Sequence, residues 1–221
     1  MQDLKNEFNS LKKLVLEKKF GRMNDMQRQA VFNIEGPLLI LAGAGSGKTT
    51  VLVNRIAYIL NYGDAYKNVN NNDIKSDDVT FLQDYLDGKN CDEEKLSNLI
   101  SCYPPNPWNL LAITFTNKAA NELKERLSSL LGETATKINA GTFHSICVKI
   151  LRREIEALGY QNNFTIYDTD DSVRVIKDCM TDLAISDKMF IPKQVLGEIS
   201  RAKDSMLTPE LFSEQNGSDF R

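Results

Sequence analysis

A glycine-rich octapeptide lies between an apolar run and a helix-forming segment, and its residue types could bind phosphate. It spans residues 42–49 (AGAGSGKT) and follows the run PLLIL at residues 37–41. Glycines let backbone N–H groups turn towards an anion, and the N-terminus of the following helix adds its positive dipole end. Lys48 can reach the β- and γ-phosphates, and the Thr49 hydroxyl can ligate Mg²⁺. The sequence therefore predicts a nucleoside triphosphate site with magnesium.

The loop departs from the usual pattern at its first position, where the small residue Ala42 replaces glycine and fits the same turn. The candidate nucleotide-binding residues of this loop are Ala42, Gly43, Ala44, Gly45, Ser46, Gly47, Lys48, Thr49 and Thr50.

Two further polar segments follow predicted strands. They are residues 114–120 (TFTNKAA) and residues 141–145 (GTFHS). In a parallel sheet the carboxyl ends of the strands share one edge, where ligands bind. Phe115 could stack on a nucleobase there, and Thr and Asn side chains suit phosphate oxygens. Helix capping is the alternative role for these polar residues, and a structural hydrogen bond is the alternative for His144.

The order of elements predicts an α/β fold with a parallel sheet flanked by helices. Strands are expected at residues 37–41, 110–114 and 138–142, all parallel in one sheet. From residue 163 onward the pattern is helical only, and Asp168 is expected to cap a helix rather than to bind magnesium.

Residues 61–108 differ in composition from the rest. They hold nine acidic residues and four lysines, a net charge of −5, which leaves +2 for the remainder of a chain of net charge −3. Apolar residues at helical spacing predict two short amphipathic helices there. This segment is expected to be an insertion on a surface loop.

Composition excludes several classes of protein. Apolar residues make up 42% of the chain, but no run approaches the roughly 20 residues of a membrane span. The N-terminus has no apolar signal segment, and four cysteines with one histidine do not give zinc-ligand spacing. We expect a cytoplasmic protein without a membrane partner.

Four motifs in a fixed order resemble those of the UvrD/Rep/PcrA family of DNA helicases. They are Asn24-x-x-Gln27, the octapeptide, AITFTNKAA at residues 112–120, and GTFHS. The resemblance implies a RecA-like motor domain in which Gln27 reads the adenine of ATP, and Lys48 and Thr49 bind phosphate and Mg²⁺. The residues that it implies for single-stranded DNA are Thr114, Phe115, Thr116, Asn117, Lys118, Thr142 and His144.

The resemblance also implies a domain organisation. Residues 1–162 would form part of an ATP-binding motor domain, with the insertion at 61–108, and residues 163–221 part of a helical subdomain. The family's acidic motif and second motor domain would follow, so we expect an N-terminal piece that is inactive alone. Its expected partners are single-stranded DNA and duplex junctions, with 3′–5′ movement in repair or replication. Its incomplete sheet would favour self-association.

One position departs from the family, because Thr50 stands where these helicases commonly have arginine. Two alternatives stay open at this point. One is the helicase-nuclease subunit of a recombination complex, which carries similar motifs. The other is an unrelated P-loop nucleotide-binding module, in which the second and third motifs are structural.

Overall fold

A computed structural model describes residues 2–43, 45–68 and 73–216 of the 221-residue chain. This part of the chain is mainly helical and contains a small parallel sheet. The elements are α1 Gln2–Lys19, α2 Asp25–Phe32, α3 Lys48–Tyr62, α4 Ser76–Leu86, α5 Glu93–Ile100, β1 Leu111–Thr114, α6 Asn117–Leu131, β2 Asn139–Thr142, α7 Phe143–Glu154, α8 Thr169–Asp182, α9 Pro192–Asp204 and α10 Pro209–Asn216.

The chain divides into two compact units, Met1–Arg153 and Glu154–Arg221. The first unit contains the elements around the glycine-rich loop, and the second contains α8, α9 and α10. The predicted domain boundary at residue 163 stays a prediction.

Side-chain caps start α2 and α8, and the cap of α8 at Asp168 confirms a sequence-based expectation. Asn24 caps α2, because its side chain accepts a hydrogen bond from the Gln27 backbone N–H at 2.9 Å. Asp168 caps α8 in the same way, accepting from the Asp171 backbone N–H at 2.8 Å. Such caps satisfy backbone donors that a helix leaves unpaired in its first turn. Asp168 is therefore a capping residue, as predicted.

The sheet brings two of the predicted motifs to one edge. Strands β1 and β2 pair in parallel, with Leu111 opposite Asn139 and Thr114 opposite Thr142. Both strands consequently end at the same edge of the sheet, and α6 and α7 begin just beyond it. The apolar residues behind the strands, including Ala112, Leu123 and Ala140, form a buried cluster with α3 and α6.

The third predicted strand, at residues 37–41, is not part of this sheet. These residues have no regular secondary structure, and Leu39 and Leu41 are 82% and 86% exposed. No segment in the described part of the chain pairs with them. An apolar run signals a tendency to be buried, whereas a strand also needs a hydrogen-bonding neighbour, and this neighbour is not predicted by the run itself.

The acidic segment forms two helices as predicted, α4 and α5, and its interpretation as a surface-loop insertion stays a prediction. Helix α4 packs against α1 and completes the larger apolar core. The buried apolar side chains from the two helices are Phe8, Val15, Leu16, Val79, Phe81 and Leu82. Each such side chain contributes about 1.5–3 kcal/mol when buried, so α4 supplies several kcal/mol to a domain of ordinary stability.

Polar contacts of α1 with the segment that follows α3 accompany this apolar packing. Lys12 is 1% exposed and donates from Nζ to the Asn68 carbonyl at 2.6 Å. Burial lowers the pKa of Lys12. Nearer the end of α1, Lys19 forms an ion pair with Glu93 at the start of α5. Part of the negative charge of residues 61–108 is thus paired with a lysine of α1.

Helices α8 and α9 of the second unit pack against each other. In the part of the chain that the structure describes, no helix combines the length and apolarity needed to cross a bilayer.

Candidate functional site

The glycine-rich loop forms a turn just before α3. Gly45 and Gly47 have φ angles of +76° and +81°, in the left-handed region that glycine adopts without strain. Ser46 closes the turn, since its hydroxyl donates to the Gly43 carbonyl at 2.8 Å. Ala44, one of the predicted binding residues, lies outside the described residues. The backbone of this loop therefore has the conformation for which glycines are needed.

The N-terminus of α3 has no side-chain cap. Gly47 occupies the N-cap position and has no side chain to accept from the first-turn N–H groups. Helices α6 and α7 differ, because Thr116 accepts from the Ala119 N–H at 3.2 Å and Thr142 from the Ser145 N–H at 3.3 Å. Among α2, α3, α6 and α7, the four helices that begin at the predicted motifs, α3 is the one whose first-turn N–H groups have no side-chain cap and could bind an anion. Its 15 residues provide a substantial dipole.

Lys48 folds back onto the loop. Its Nζ donates to the carbonyl oxygens of Ala42, at 3.0 Å, and Gly43, at 2.6 Å. The side chain is nevertheless exposed at the surface. An ammonium group exchanges neutral carbonyl acceptors readily for phosphate oxygens, because a phosphate adds an opposite charge to the hydrogen bond. The loop carbonyls thus place the Lys48 ammonium group beside the turn.

Gln27 connects α2 to the same loop. Its amide Nε2 donates to the Ser46 carbonyl at 3.1 Å, and its Oε1 accepts from the Asn24 backbone N–H at 3.1 Å. Both ends of the amide are therefore fixed by hydrogen bonds. The capping box that starts α2 also brings this glutamine to the glycine-rich loop.

An open cleft of about 980 Å³ runs between α2 and the loop. Gln27, Ser46 and Lys48 line it together with residues 38–41. Small-molecule sites commonly have volumes of about 300–1,000 Å³, so this cleft is large enough for a nucleotide. In the first turn of α3, Thr49 is half-buried and Thr50 is exposed.

Two aromatic rings lie beyond the ends of β1 and β2. Phe115 is 90% exposed and Phe143 is 47% exposed. Their ring centroids are 5.3 Å apart, and the ring planes make an angle of 40°. Phe143 is a site candidate that the sequence did not single out, although, like Phe115, it directly follows a strand. The two rings form an exposed aromatic pair at the edge where the strands end.

The other predicted DNA residues divide into exposed and enclosed groups. Asn117, Lys118 and His144 are exposed in the first turns of α6 and α7. Thr116 is exposed but caps α6, and Thr114 is half-buried, with its hydroxyl donating to the Thr116 carbonyl at 3.2 Å. Thr142, the remaining predicted DNA residue, caps α7 with its side chain.

Thr142 is 8% exposed. Besides its accepting hydroxyl, its carbonyl accepts from the Ser145 hydroxyl at 2.9 Å. Such a residue fixes the start of α7 and thereby the placement of Phe143 and His144. Its hydroxyl is engaged within the protein.

Acidic residues do not gather at the cleft as a metal-binding group. In residues 2–43, 45–68 and 73–216, no three His, Cys, Asp or Glu side chains come together in a manner suited to a metal ion. Thr49 is the side chain near the loop whose hydroxyl could ligate Mg²⁺. Magnesium bound with a nucleotide takes most of its ligands from phosphates and water, so a single hydroxyl fits this role.

The chain is similar to known helicases. Residues 23–74 and 93–220 match the model of the UvrD/REP helicase N-terminal domain, and the unmatched residues 75–92 between them include all of α4. The chain is 42% identical over 198 residues to the ATP-dependent DNA helicase PcrA of Bacillus subtilis (strain 168), covering 90% of this chain and 21% of that protein.

The same helicase of Staphylococcus aureus (strain NCTC 8325 / PS 47) is 43% identical over 189 residues, which cover 86% of this chain and 20% of the relative. The chain thus spans about a fifth of the length of the curated relatives it matches.

Proposed function

Because this chain belongs to the UvrD/REP helicase family, we propose that it is the ATP- and single-stranded-DNA-binding part of a DNA helicase. The whole protein would couple ATP hydrolysis to 3′–5′ translocation and to unwinding at duplex junctions, in cytoplasmic DNA repair or replication. The relatives' name, ATP-dependent DNA helicase PcrA, supports this assignment.

The observation that carries the nucleotide site is the uncapped N-terminus of α3 beside Lys48. The loop N–H groups and the helix dipole would bind the phosphates, and Lys48 would leave the carbonyls of Ala42 and Gly43 to contact them. Thr49 would hold Mg²⁺, which supplies charge neutralisation at the β- and γ-phosphates. Thr50 offers a hydroxyl and no positive charge at the next position.

Gln27 would read the adenine base. To do so, its amide exchanges the Ser46 carbonyl and the Asn24 N–H for the base, so nucleotide binding opens the contact between α2 and the loop. An amide presents one donor and one acceptor, which match adenine and not guanine. This pairing would make the site selective for ATP over GTP.

We expect Gln27→Ala to reduce the preference for ATP over GTP. The loss should be about fivefold, because one net hydrogen bond is typically worth about 0.5–1.5 kcal/mol. Isothermal titration of the two nucleotides measures it, with Gln83→Ala on α4 as the matched control. An unchanged preference in the Gln27 variant contradicts the assignment of the base-reading residue.

The exposed aromatic pair, Phe115 and Phe143, supports a surface for single-stranded DNA. Bases would stack on the rings, and Asn117, Lys118 and His144 would contact the phosphates around them. Thr114 would hold the backbone at the end of β1 through the hydrogen bond from its hydroxyl to the Thr116 carbonyl. For Thr142 we propose the capping role alone, since the side chain is enclosed.

Catalytic turnover needs more than this surface. Phosphoryl transfer requires an acid for the magnesium complex, a group that orients water, and an arginine that stabilises the transition state. We propose that the family's acidic motif and second motor domain supply them. The 221-residue chain alone is expected to hydrolyse ATP at a small fraction of a helicase rate, with or without DNA.

The exposed apolar run at residues 38–41 supports association of two copies of this chain. Leu39 and Leu41 are 82% and 86% exposed, and the RecA-like fold of the family would place this run in a parallel sheet. We expect light scattering to show a mass that rises with protein concentration, and Leu39→Lys to restore a monomer. A constant monomer mass over a wide concentration range contradicts this proposal.

A further inference from the structure

Arg55 joins the two helices that carry the proposed nucleotide site. It lies on α3, seven residues after Lys48, and its side chain is half-buried. One terminal nitrogen, Nη1, donates to the carbonyl oxygens of Ala30, at 2.5 Å, and Asn33, at 2.6 Å. Both carbonyls belong to the C-terminal end of α2, where a helix leaves acceptors unpaired and favours a positive charge.

The position of α2 depends on a few contacts. The helix has eight residues, too few to be stable by itself. Its buried side chains, Val31 and Phe32, both lie in the last turn, whereas Met26 in the first turn is 73% exposed. Just before the first turn, Met23 is 7% exposed and packs in the core, and within the turn the Gln27 amide bonds to the Ser46 carbonyl, a bond that must open for a base to be read. When that bond is open, α2 is held by Met23 and by the contacts of its last turn.

We propose that Arg55 is a positioning residue for nucleobase recognition. By holding the last turn of α2 to the helix that follows the glycine-rich loop, it keeps Gln27 at a fixed distance from the phosphate site while the amide changes partners. Ala30 is one helical turn from Gln27, about 5 Å along the axis, so a small rotation at Arg55 moves the amide out of line with the base. This proposal rests on the proposed function of the cleft as an adenine nucleotide site.

The test compares ATP and GTP binding by isothermal titration in the wild type, Arg55→Ala and Arg55→Lys. We expect Arg55→Ala to reduce the preference for ATP at least threefold, mainly through weaker ATP binding. Arg55→Lys should restore part of the preference, since an ammonium group can donate to one of the two carbonyls. The matched control is Arg126→Ala on α6, which removes an arginine paired with Glu122 on the surface and should leave the preference unchanged.

A purely structural role gives a different result, in which Arg55→Ala weakens ATP and GTP equally, and this result overturns the proposal. Hydrogen exchange of the α2 amides in Arg55→Lys is a second measurement that needs no nucleotide. Compared with the wild type, we expect the α2 amides of Arg55→Lys to exchange faster and the α6 amides to exchange at the same rate. An unchanged exchange rate in α2 overturns the proposal, and this test does not require Arg55→Ala to fold. A wild type that binds ATP and GTP equally contradicts the proposed role of Gln27. The exchange data are independent of that result, because they measure whether Arg55 holds α2 in place.

Discussion

Replacing Lys48 with alanine is expected to weaken ATP binding by about 10- to 100-fold. The ammonium group would face the β- and γ-phosphates, and a hydrogen bond to a charged group contributes about 1.5–3 kcal/mol. The melting temperature should stay the same, because Lys48 is exposed and its hydrogen-bond partners are carbonyls of a solvent-accessible loop. Isothermal titration with ATP and thermal unfolding of the same samples measure the two effects.

Lys124→Ala is the matched control for this substitution. It removes one exposed lysine from α6 in the same unit and should leave ATP binding unchanged. Adenosine, which has no phosphates, should bind the wild type and Lys48→Ala equally. Equal ATP affinity of the two proteins would show that the glycine-rich loop is not the phosphate site.

Removing both rings of the exposed aromatic pair is expected to abolish most binding of single-stranded DNA. Stacking contributes about 1–3 kcal/mol per base, so Phe115→Ala should weaken binding about 5- to 100-fold, and the double variant with Phe143→Ala further. Affinity should also fall steeply as salt is raised, since phosphate contacts release counterions. Fluorescence anisotropy with a labelled oligothymidine at several salt concentrations measures both effects.

The two rings contact each other, so their effects should be coupled. With centroids 5.3 Å apart, loss of one ring removes a neighbour of the other, and the double variant should lose less than the two single losses combined. Tyr103→Ala, which removes an 81% exposed ring elsewhere in the same unit, is the control and should bind DNA normally.

ATP affinity without DNA should be unchanged in Phe115→Ala. If that variant instead melts at a lower temperature and loses ATP and DNA binding together, Phe115 is a core residue and the stacking role is wrong. Its 90% exposure is the reason for expecting the first result.

Local chemistry made part of this molecule predictable from the sequence. Asp168 caps α8, as expected, because a capping box involves residues three apart and needs no other part of the chain. The parallel strands β1 and β2 and the helices α4 and α5 also follow from periodicity over a few residues.

Contacts between distant segments were not predictable in the same way. The packing of α4 on α1 depends on side chains more than 60 residues apart, such as Val15 and Val79. The apolar character of a residue predicts that it is buried but not which residue it packs against. The absence of residues 37–41 from the sheet was not predictable either, because strand pairing depends on a second segment of the chain. The contact of Arg55 with α2 was not predictable from the sequence, since an arginine in a helix is usually exposed and its two carbonyl acceptors carry no sequence signal.

During synthesis, α1 leaves the ribosome well before the helix on which it packs. Helix α1 ends at Lys19 and α4 begins at Ser76, so about 57 residues are added between them. At about 5–20 residues per second, this addition takes about 3–11 s. Throughout that time, Phe8, Val15 and Leu16 have no α4 to cover them and are available to chaperones. The exposure time of this apolar face is consequently set by the rate of translation rather than by the rate of folding.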